Sequence, residues 1–312
     1  MTVLQVIGLL AGLAAAAQAE EQVRPAERYV RIGHYQCRCR QGDWETNLKT
    51  VLHGLTLAEE ARVQIMTFPE SFLTGYFRHR DDAWKHSFAL DSPEMRQVQE
   101  QTARFDILFM VGFNERRGDQ LLNTVAVIDR GRVLGTYSKA FPGGFFTPGR
   151  EFPVFEKHGL VFGIVICADG GYVEPARILA LQGAQVIFAP HFNFVNDPLD
   201  HYQTVRSDHT ARAIENGVYF VRGNNCVAER HLPGLADEGH GYGESYVINP
   251  NGQLVAGAGL YDEYLMLYNL DLNKKYRSGG IRRSRESAIE LLDVFKRTVQ
   301  NGAEIVKPPT KN

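Results

Sequence analysis

Short apolar runs alternate with stretches of helical periodicity almost from the start of the chain. Tyr29–His34 reads as a strand. Asp43 is placed to cap a helix that carries Leu48, Val51, Leu52 and Leu55 on one face. Val63–Phe68 returns as a strand, Ser92–Phe105 as a helix, and Ile107–Val111 as a strand with no polar break, the pattern of burial on both faces. Leu121–Ile128 and Val133–Tyr137 flank Asp129-Arg-Gly-Arg132, a hairpin signal. Leu160–Ile166, a helix over Glu174–Leu181 and Val186–Ala189 make a further strand–helix–strand unit. The second half repeats the theme without repeating the sequence: a helix over Asp208–Asn216, a strand at Val218–Val221, the turn Asn249-Pro-Asn-Gly252 between two short strands, and Tyr264–Leu270. Such alternation predicts a layered α/β protein.

No Pro- or Ser-rich linker interrupts residues 27–272, which therefore form one expected domain. Residues 273–312 are expected to add a helix over about Ser284–Val299 and a polar tail, packed on the domain or on a partner subunit. The basic residues Lys274, Lys275, Arg277, Arg282, Arg283 and Arg285 read as a solvated face or a subunit contact. Residues 1–19 carry no charged side chain and end in Ala17-Gln18-Ala19, the small-x-small pattern that signal peptidases accept. A cleaved signal peptide and an exported protein, periplasmic or secreted, are expected. An uncleaved N-terminal segment acting as an anchor is the alternative, although Gly and Ala dilute it and it barely reaches the roughly 17 residues of a span. No other apolar run approaches that length.

Lys+Arg 34 against Asp+Glu 36 gives a net charge of -2, so no field gathers a polyanion and nucleic acid is not an expected partner. With 44% hydrophobic and 22% charged residues the chain is neither disordered nor a small disulfide scaffold. Cys37-x-Cys39 is too close for an easy bridge and has no second pair to complete a zinc site, and Cys226 lies in a polar segment as a bystander. Gly-x-Ser-x-Gly, His-Glu-x-x-His and the P-loop motif are all missing, and the ten histidines show no ligand spacing. No metal site is expected. Gly239-His-Gly-Tyr-Gly243 does not open a helix after a strand, so it reads as a loop near the site rather than a phosphate cradle.

Three polar residues each follow a predicted strand: Glu70 after Met66-Thr-Phe-Pro, Lys139 after Leu134-Gly-Thr-Tyr-Ser, and Cys167 after Phe162-Gly-Ile-Val-Ile. In open α/β folds that rim is where sites are built. Together the three supply a proton acceptor, a cation and a nucleophile. A thiol becomes an effective nucleophile when a base removes its proton or a cation stabilises the thiolate. Glu70 could do the first and Lys139 the second. Lys139 and the backbone N–H of Ala168 could then hold the oxyanion formed when sulfur attacks an amide carbon. The three lie far apart in sequence, so only a fold can join them.

These residues resemble the nitrilase, or carbon-nitrogen hydrolase, superfamily over most of 27–272. Phe68-Pro-Glu70-Ser-Phe-Leu-Thr-Gly75-Tyr76 is similar to its first block, Tyr137-Ser-Lys139 to its second, and the run from Gly163 through Cys167 and Glu174 to Arg177 to its nucleophile block. Further matches lie around Ala184, over Ala211–Gly217 and over Ser245–Gly252, in the family's order. The resemblance implies a four-layer αββα sandwich that commonly pairs into a homodimer or larger homo-oligomer. It also implies a Glu70–Lys139–Cys167 triad that hydrolyses small amides, N-carbamoyl compounds or nitriles through a thioester, releasing ammonia or an amine without metal or cofactor. Tyr76, Ala168, His191 and Asn193 are the expected substrate contacts. Asp169, Glu174 and Arg177 are expected to pin the nucleophile helix through ion pairs.

Three departures bear on activity. The family often places a second glutamate in the loop after the lysine. Here Ala140–Gly149 holds no acid, leaving Glu151 or a water to substitute. Val173 replaces the proline usual before the glutamate seven positions after the cysteine. Members that read a carboxylate beside the scissile bond tend to carry arginines three and four positions after the cysteine, where this chain has Gly170 and Gly171. An amide or N-carbamoyl hydrolase is the expected function. The alternatives are a nitrile hydrolase, an acyl transferase, or a catalytically weak member that binds a small ligand or partner.

Overall fold

The computed structural model describes residues 28–193, 198–226, 241–276 and 291–300. The segment read as a signal peptide and the first part of the expected C-terminal helix lie outside them. Twelve strands form two six-stranded sheets among the described residues. The first half runs β1 (Tyr29–Gln36), α1 (Trp44–Glu60), β2 (Ile65–Thr67), α2 (Arg80–Lys85), α3 (Pro93–Thr102), β3 (Leu108–Arg117), β4 (Gln120–Asp129) and β5 (Arg132–Ser138). The second half runs β6 (Val154–Lys157), β7 (Leu160–Ile164), a 3-10 turn over Cys167–Gly171, α4 (Val173–Leu181), β8 (Val186–Pro190), α5 (Pro198–Asn216), β9 (Tyr219–Gly223), β10 (Tyr246–Ile248), β11 (Leu254–Gly257) and β12 (Tyr264–Asp271).

The order of the first sheet is β12-β1-β2-β3-β4-β5 and of the second β11-β10-β9-β8-β7-β6. Strands β1, β2 and β3 are parallel, as are β7, β8 and β9, and every other pairing is antiparallel. The two halves therefore share one topology, which is the repeated theme read in the sequence. The last strand returns to the first sheet and closes it beside β1, with Tyr29 opposite Asp271 and Gln36 opposite Tyr264.

Period-two alternation assigns the layers. On β3, Leu108 and Met110 enter the core between the sheets, while Phe109, Val111 and Phe113 enter the core beneath α1 and α3. On β8, Val186 and Phe188 face the first sheet, and Ile187 and Ala189 face α4 and α5. Helix–sheet–sheet–helix is thus the order of layers, the αββα sandwich expected. Asp43 caps α1 by accepting from the Thr46 N–H at 3.0 Å, and Ser92 caps α3 by accepting from Met95 N–H at 3.2 Å. Leu48, Val51, Leu55 and Ala58 form the buried stripe of α1.

The differences from expectation have local causes. Helix α5 begins at Pro198, ten residues before the expected Asp208, because its first turns are too polar to show an apolar stripe. Strand β2 ends at Thr67 because Pro69 cannot donate to a ladder, and the chain turns there toward the rim. Residues 291–300 are helical, and Leu291, Leu292, Phe295 and Val299 are exposed on them. No helix among the described residues is long and apolar enough to cross a membrane.

Gly112 in β3 lets the chain after β2 pass against the sheet. A Cβ there would lie 2.4 Å from Ser71 N and 3.1 Å from Glu70 C. Main-chain bonds from Phe68 to Met110 O (3.0 Å) and from Leu73 to Gly112 O (2.9 Å) hold the segment at that spacing. Gly112→Ala is expected to destabilise the protein by about 1–3 kcal/mol through overpacking, visible as a thermal midpoint several degrees lower. Unchanged melting of this variant would show that the segment yields freely.

Candidate active site

Glu70, Lys139 and Cys167 come together at the rim. Glu70 follows β2 on a tight turn in which Ser71 takes φ 49° and Gly75 φ 93°, and its N–H donates across to His191 O, beyond β8, at 3.2 Å. Lys139 follows β5; its N–H donates to Asn123 O at 2.9 Å and its carbonyl accepts from Gly149 N–H at 2.8 Å. Cys167 opens the 3-10 turn beyond β7 with φ 48°, a left-handed conformation unfavourable for a residue with a Cβ and held by its surroundings.

The Lys139 ammonium donates to Glu70 Oε1 at 2.7 Å, and both side chains are almost wholly buried. Asn123 Nδ2 donates to the same oxygen at 2.7 Å. Glu70 Oε2 is buried without a hydrogen-bond partner among the described residues. Cys167 keeps some exposed surface. Burial pushes its thiol up to about 12, the charge and hydrogen bonding of Glu70 act in the same direction, and Lys139 and the Phe192 N–H pull it partly back. Burial alone would lower the Lys139 ammonium, but Glu70, Cys167 and Tyr76 outweigh it and raise it above its ordinary value. The resting site is therefore a neutral thiol beside an ion pair. It can make a nucleophile by passing the sulfur's proton to a carboxylate as the bond to carbon forms.

Tyr76 stands beside the three. Its ring centroid is 5.9 Å from Lys139 Nζ and it stacks on Phe192 at 5.9 Å. Burial and the nearby Glu70 push its phenol up to about 12. Ala168 is exposed directly after the nucleophile. His191 and Asn193 are buried and engaged elsewhere. His191 Nδ1 pairs with Ala189 O at 2.8 Å, and Asn193 Oδ1 accepts from Arg222 Nη2 at 2.6 Å. Glu151 is exposed and is not among the groups that perturb Lys139 or Cys167.

The turn after the nucleophile is not pinned by the expected ion pairs: Asp169, Glu174 and Arg177 form none among the described residues. Instead Asp169, fully buried, accepts from Tyr137 OH (2.7 Å) and from the N–H groups of Ala140 (3.3 Å), Phe141 (2.8 Å) and Ile166 (3.0 Å). One carboxylate with four neutral donors ties the nucleophile turn to the loop after Lys139. A Cβ on Gly170 would lie 2.5 Å from His209 Nε2, so an imidazole fills the place where a side chain at that position would grow.

Sequence reading missed Asn123, Arg222 and Tyr242. Asn123 and Arg222 are polar interruptions inside apolar strands, the one signal that could have marked them. Arg222 is fully buried; it donates to Gly243 O and Glu244 O from Nη1, and to Asn193 Oδ1 and Tyr242 OH from Nη2. Tyr242 lies close enough to Cys167 for the thiol to perturb its phenol. Cys226 is buried against β1, its N–H donating to Cys37 O at 3.2 Å.

The carbon-nitrogen hydrolase family model matches residues 31–277, and the chain belongs to that family. It is 31% identical over 262 residues to a hydrolase encoded in the pqqF 5' region of Pseudomonas protegens, covering 81% of this chain and 87% of that one. It is 29% identical over 286 residues to N-carbamoylputrescine amidase of Solanum tuberosum, covering 83% and 92%. An amidase structure from Nesterenkonia sp. superposes with a TM-score of 0.69 at 21% identity, covering 87% of this chain and 98% of that chain, and supports the fold.

Three buried histidines surround Arg222. His34 is lowered to about 4, and His191 and His209 fall well below the ordinary value, in each case by burial first and then by the Arg222 charge. All three are neutral when folded. Below about pH 6.5 the unfolded chain binds protons that the folded one refuses, so stability falls as pH drops from there toward 4. Each histidine adds a slope of up to about 1.4 kcal/mol per pH unit. Urea midpoints at pH 7.5, 6 and 5 should decline in that order, and His209→Gln should shallow the decline. A midpoint constant across this range would show that the rings protonate freely in the fold.

Proposed function

We propose that this protein hydrolyses small linear amides or N-carbamoyl compounds through a thioester on Cys167. The observation that carries this reading is the meeting of a buried Glu70–Lys139 pair with the thiol of Cys167, a residue that keeps some exposed surface. As sulfur attacks the carbonyl carbon, its proton passes to Glu70 and the carbonyl oxygen becomes anionic. Lys139 and the Ala168 N–H hold that oxygen. The C–N bond then breaks, Glu70 returns the proton to the leaving nitrogen, and ammonia or an amine departs. Glu70 next takes a proton from water, whose oxygen displaces the thiolate and regenerates the thiol.

Two features narrow the substrate. His209 fills the space above Gly170, and a Cβ on Gly171 would lie 3.4 Å from Asp208 Oδ2. An imidazole held neutral and a carboxylate thus occupy the region where a cation would read a substrate carboxylate, so a neutral or amine-bearing acyl compound fits better. The likeness to an N-carbamoylputrescine amidase supports the same class. Tyr76 is the polar group beside the triad that can assist where a second glutamate is missing. Export by the N-terminal segment and assembly into a homo-oligomer belong to this proposal.

Purified protein incubated with amides, N-carbamoyl amines, N-carbamoyl amino acids and nitriles should release ammonia from the first two groups. Cys167→Ala and Glu70→Gln should lose at least about 1,000-fold in kcat, and Lys139→Ala about 100- to 1,000-fold, the scale of an oxyanion donor. Hydroxylamine should divert part of the acyl group to a hydroxamate. Absence of ammonia from every compound, or turnover that survives Cys167→Ala, would refute the assignment.

A further inference from the structure

The two oxygens of Glu70 stand in different surroundings. Oε1 receives the Lys139 ammonium and the Asn123 amide, both at 2.7 Å, whereas Oε2, although buried, receives no N–H or O–H from the described residues, and the Cys167 thiol interacts with this same carboxylate. An oxygen already accepting two short donors is a poor proton acceptor. The bare oxygen is the one left to take the proton of Cys167.

Asn123 is the residue that enforces the difference. It sits in β4 opposite Asn114, with 1% of its surface exposed. Its amide is oriented by the Ser71 hydroxyl, which lies 3.4 Å from Oδ1 and 3.3 Å from Asn114 Oδ1. Nδ2 is thereby left to point at Glu70. The main-chain carbonyl of the same residue accepts the Lys139 N–H at 2.9 Å. One residue thus holds both members of the ion pair, the carboxylate by its side chain and the lysine by its backbone. An apolar residue would fill a buried strand position without needing a polar partner, so the amide answers to the site rather than to the sheet.

We propose that Asn123 is a positioning residue that keeps Glu70 Oε1 occupied and presents Oε2 to the Cys167 thiol. This inference rests on the thioester reading above. Without the amide, the carboxylate can swing both oxygens onto Lys139 and turn away from the sulfur.

Asn123→Asp tests this with little change in shape: the Ser71 contact and the backbone carbonyl remain, while the amide donor facing Glu70 is replaced by an acidic oxygen. Asn123→Ala removes the donor without adding a charge. With a substrate that the wild type turns over, both variants should lose at least about 100-fold in kcat while KM stays within about 3-fold. A second readout needs no substrate. Alkylation of Cys167 by iodoacetamide at pH 7.5, followed by peptide mass, should slow at least about 10-fold in both. Cys37, Cys39 and Cys226 are buried and do not compete. Slowed alkylation in the variants of a wild type that hydrolyses nothing would uphold Asn123 and sink the hydrolase reading. Either folded variant with kcat and alkylation within about 3-fold of wild type would overturn the inference. So would failure of both variants to fold, which would make the amide a requirement of the sheet.

Discussion

The site depends on one interaction, the buried ion pair between Lys139 and Glu70. Taking an ammonium and a carboxylate out of water is costly, and their attraction offsets that cost only when geometry is good and the remaining polar atoms are satisfied. Three of the lysine's surroundings meet this demand: a 2.7 Å contact to Oε1, the electron-rich face of Tyr76, and a backbone fixed at both its N–H and its carbonyl. The carboxylate is satisfied on one side only. The unsatisfied oxygen is a local loss of stability, and it belongs to a carboxylate near enough to Cys167 to raise its thiol.

The sandwich makes that pair possible by bringing three strand ends from two sheets to one rim. Glu70 and Lys139 come from the first sheet and Cys167 from the second, so the catalytic distance is also an intersheet distance. Bonds that cross the divide set it: Glu70 N–H to His191 O, and the Asp169 carboxylate gathering Tyr137, Ala140 and Phe141 from the first sheet's side. Asp169 serves as an ionic centre without an ionic partner. Several hydrogen bonds from neutral donors hold a buried carboxylate as well as a salt bridge does and fix its position more narrowly, because each donor has its own direction.

Much of this was legible in the sequence, for reasons that particular residues make plain. The two half-folds could be read because strands such as Ile107–Val111 are apolar on both faces, a pattern that only a covered sheet requires. The three residues that meet at the rim could be read because each is a charged or nucleophilic side chain directly after such a run. Asn123 was not legible. A single amide within Leu121–Ile128 looks like a tolerated imperfection until the partner that justifies it is known, and that partner is 53 residues away. Arg222 escaped for the same reason. The start of α5 was hidden because its first turns carry few apolar residues, so periodicity had nothing to report. His191 and Asn193 were read as pocket contacts from their place after a strand. Their side chains instead serve Ala189 O and Arg222, since the direction a side chain takes in a loop is set by tertiary partners that the sequence does not name.

Arg222 shows how the surroundings of the site limit the conditions under which it can exist. Its guanidinium fastens residues 242–244 and Asn193, and the neighbouring Phe192 meets the sulfur. Burial first, and then the fixed charge of Arg222, hold His34, His191 and His209 neutral. The bonds of His34 agree: a neutral ring can donate from Nε2 to Asn224 O at 3.0 Å while Nδ1 accepts from the Thr67 hydroxyl at 2.7 Å. A second ring proton would add a buried charge beside Arg222. Acid therefore acts first on the scaffold that clamps the nucleophile's neighbours, and it does so from about pH 6.5 downward as the unfolded chain gains protons that the folded chain cannot take.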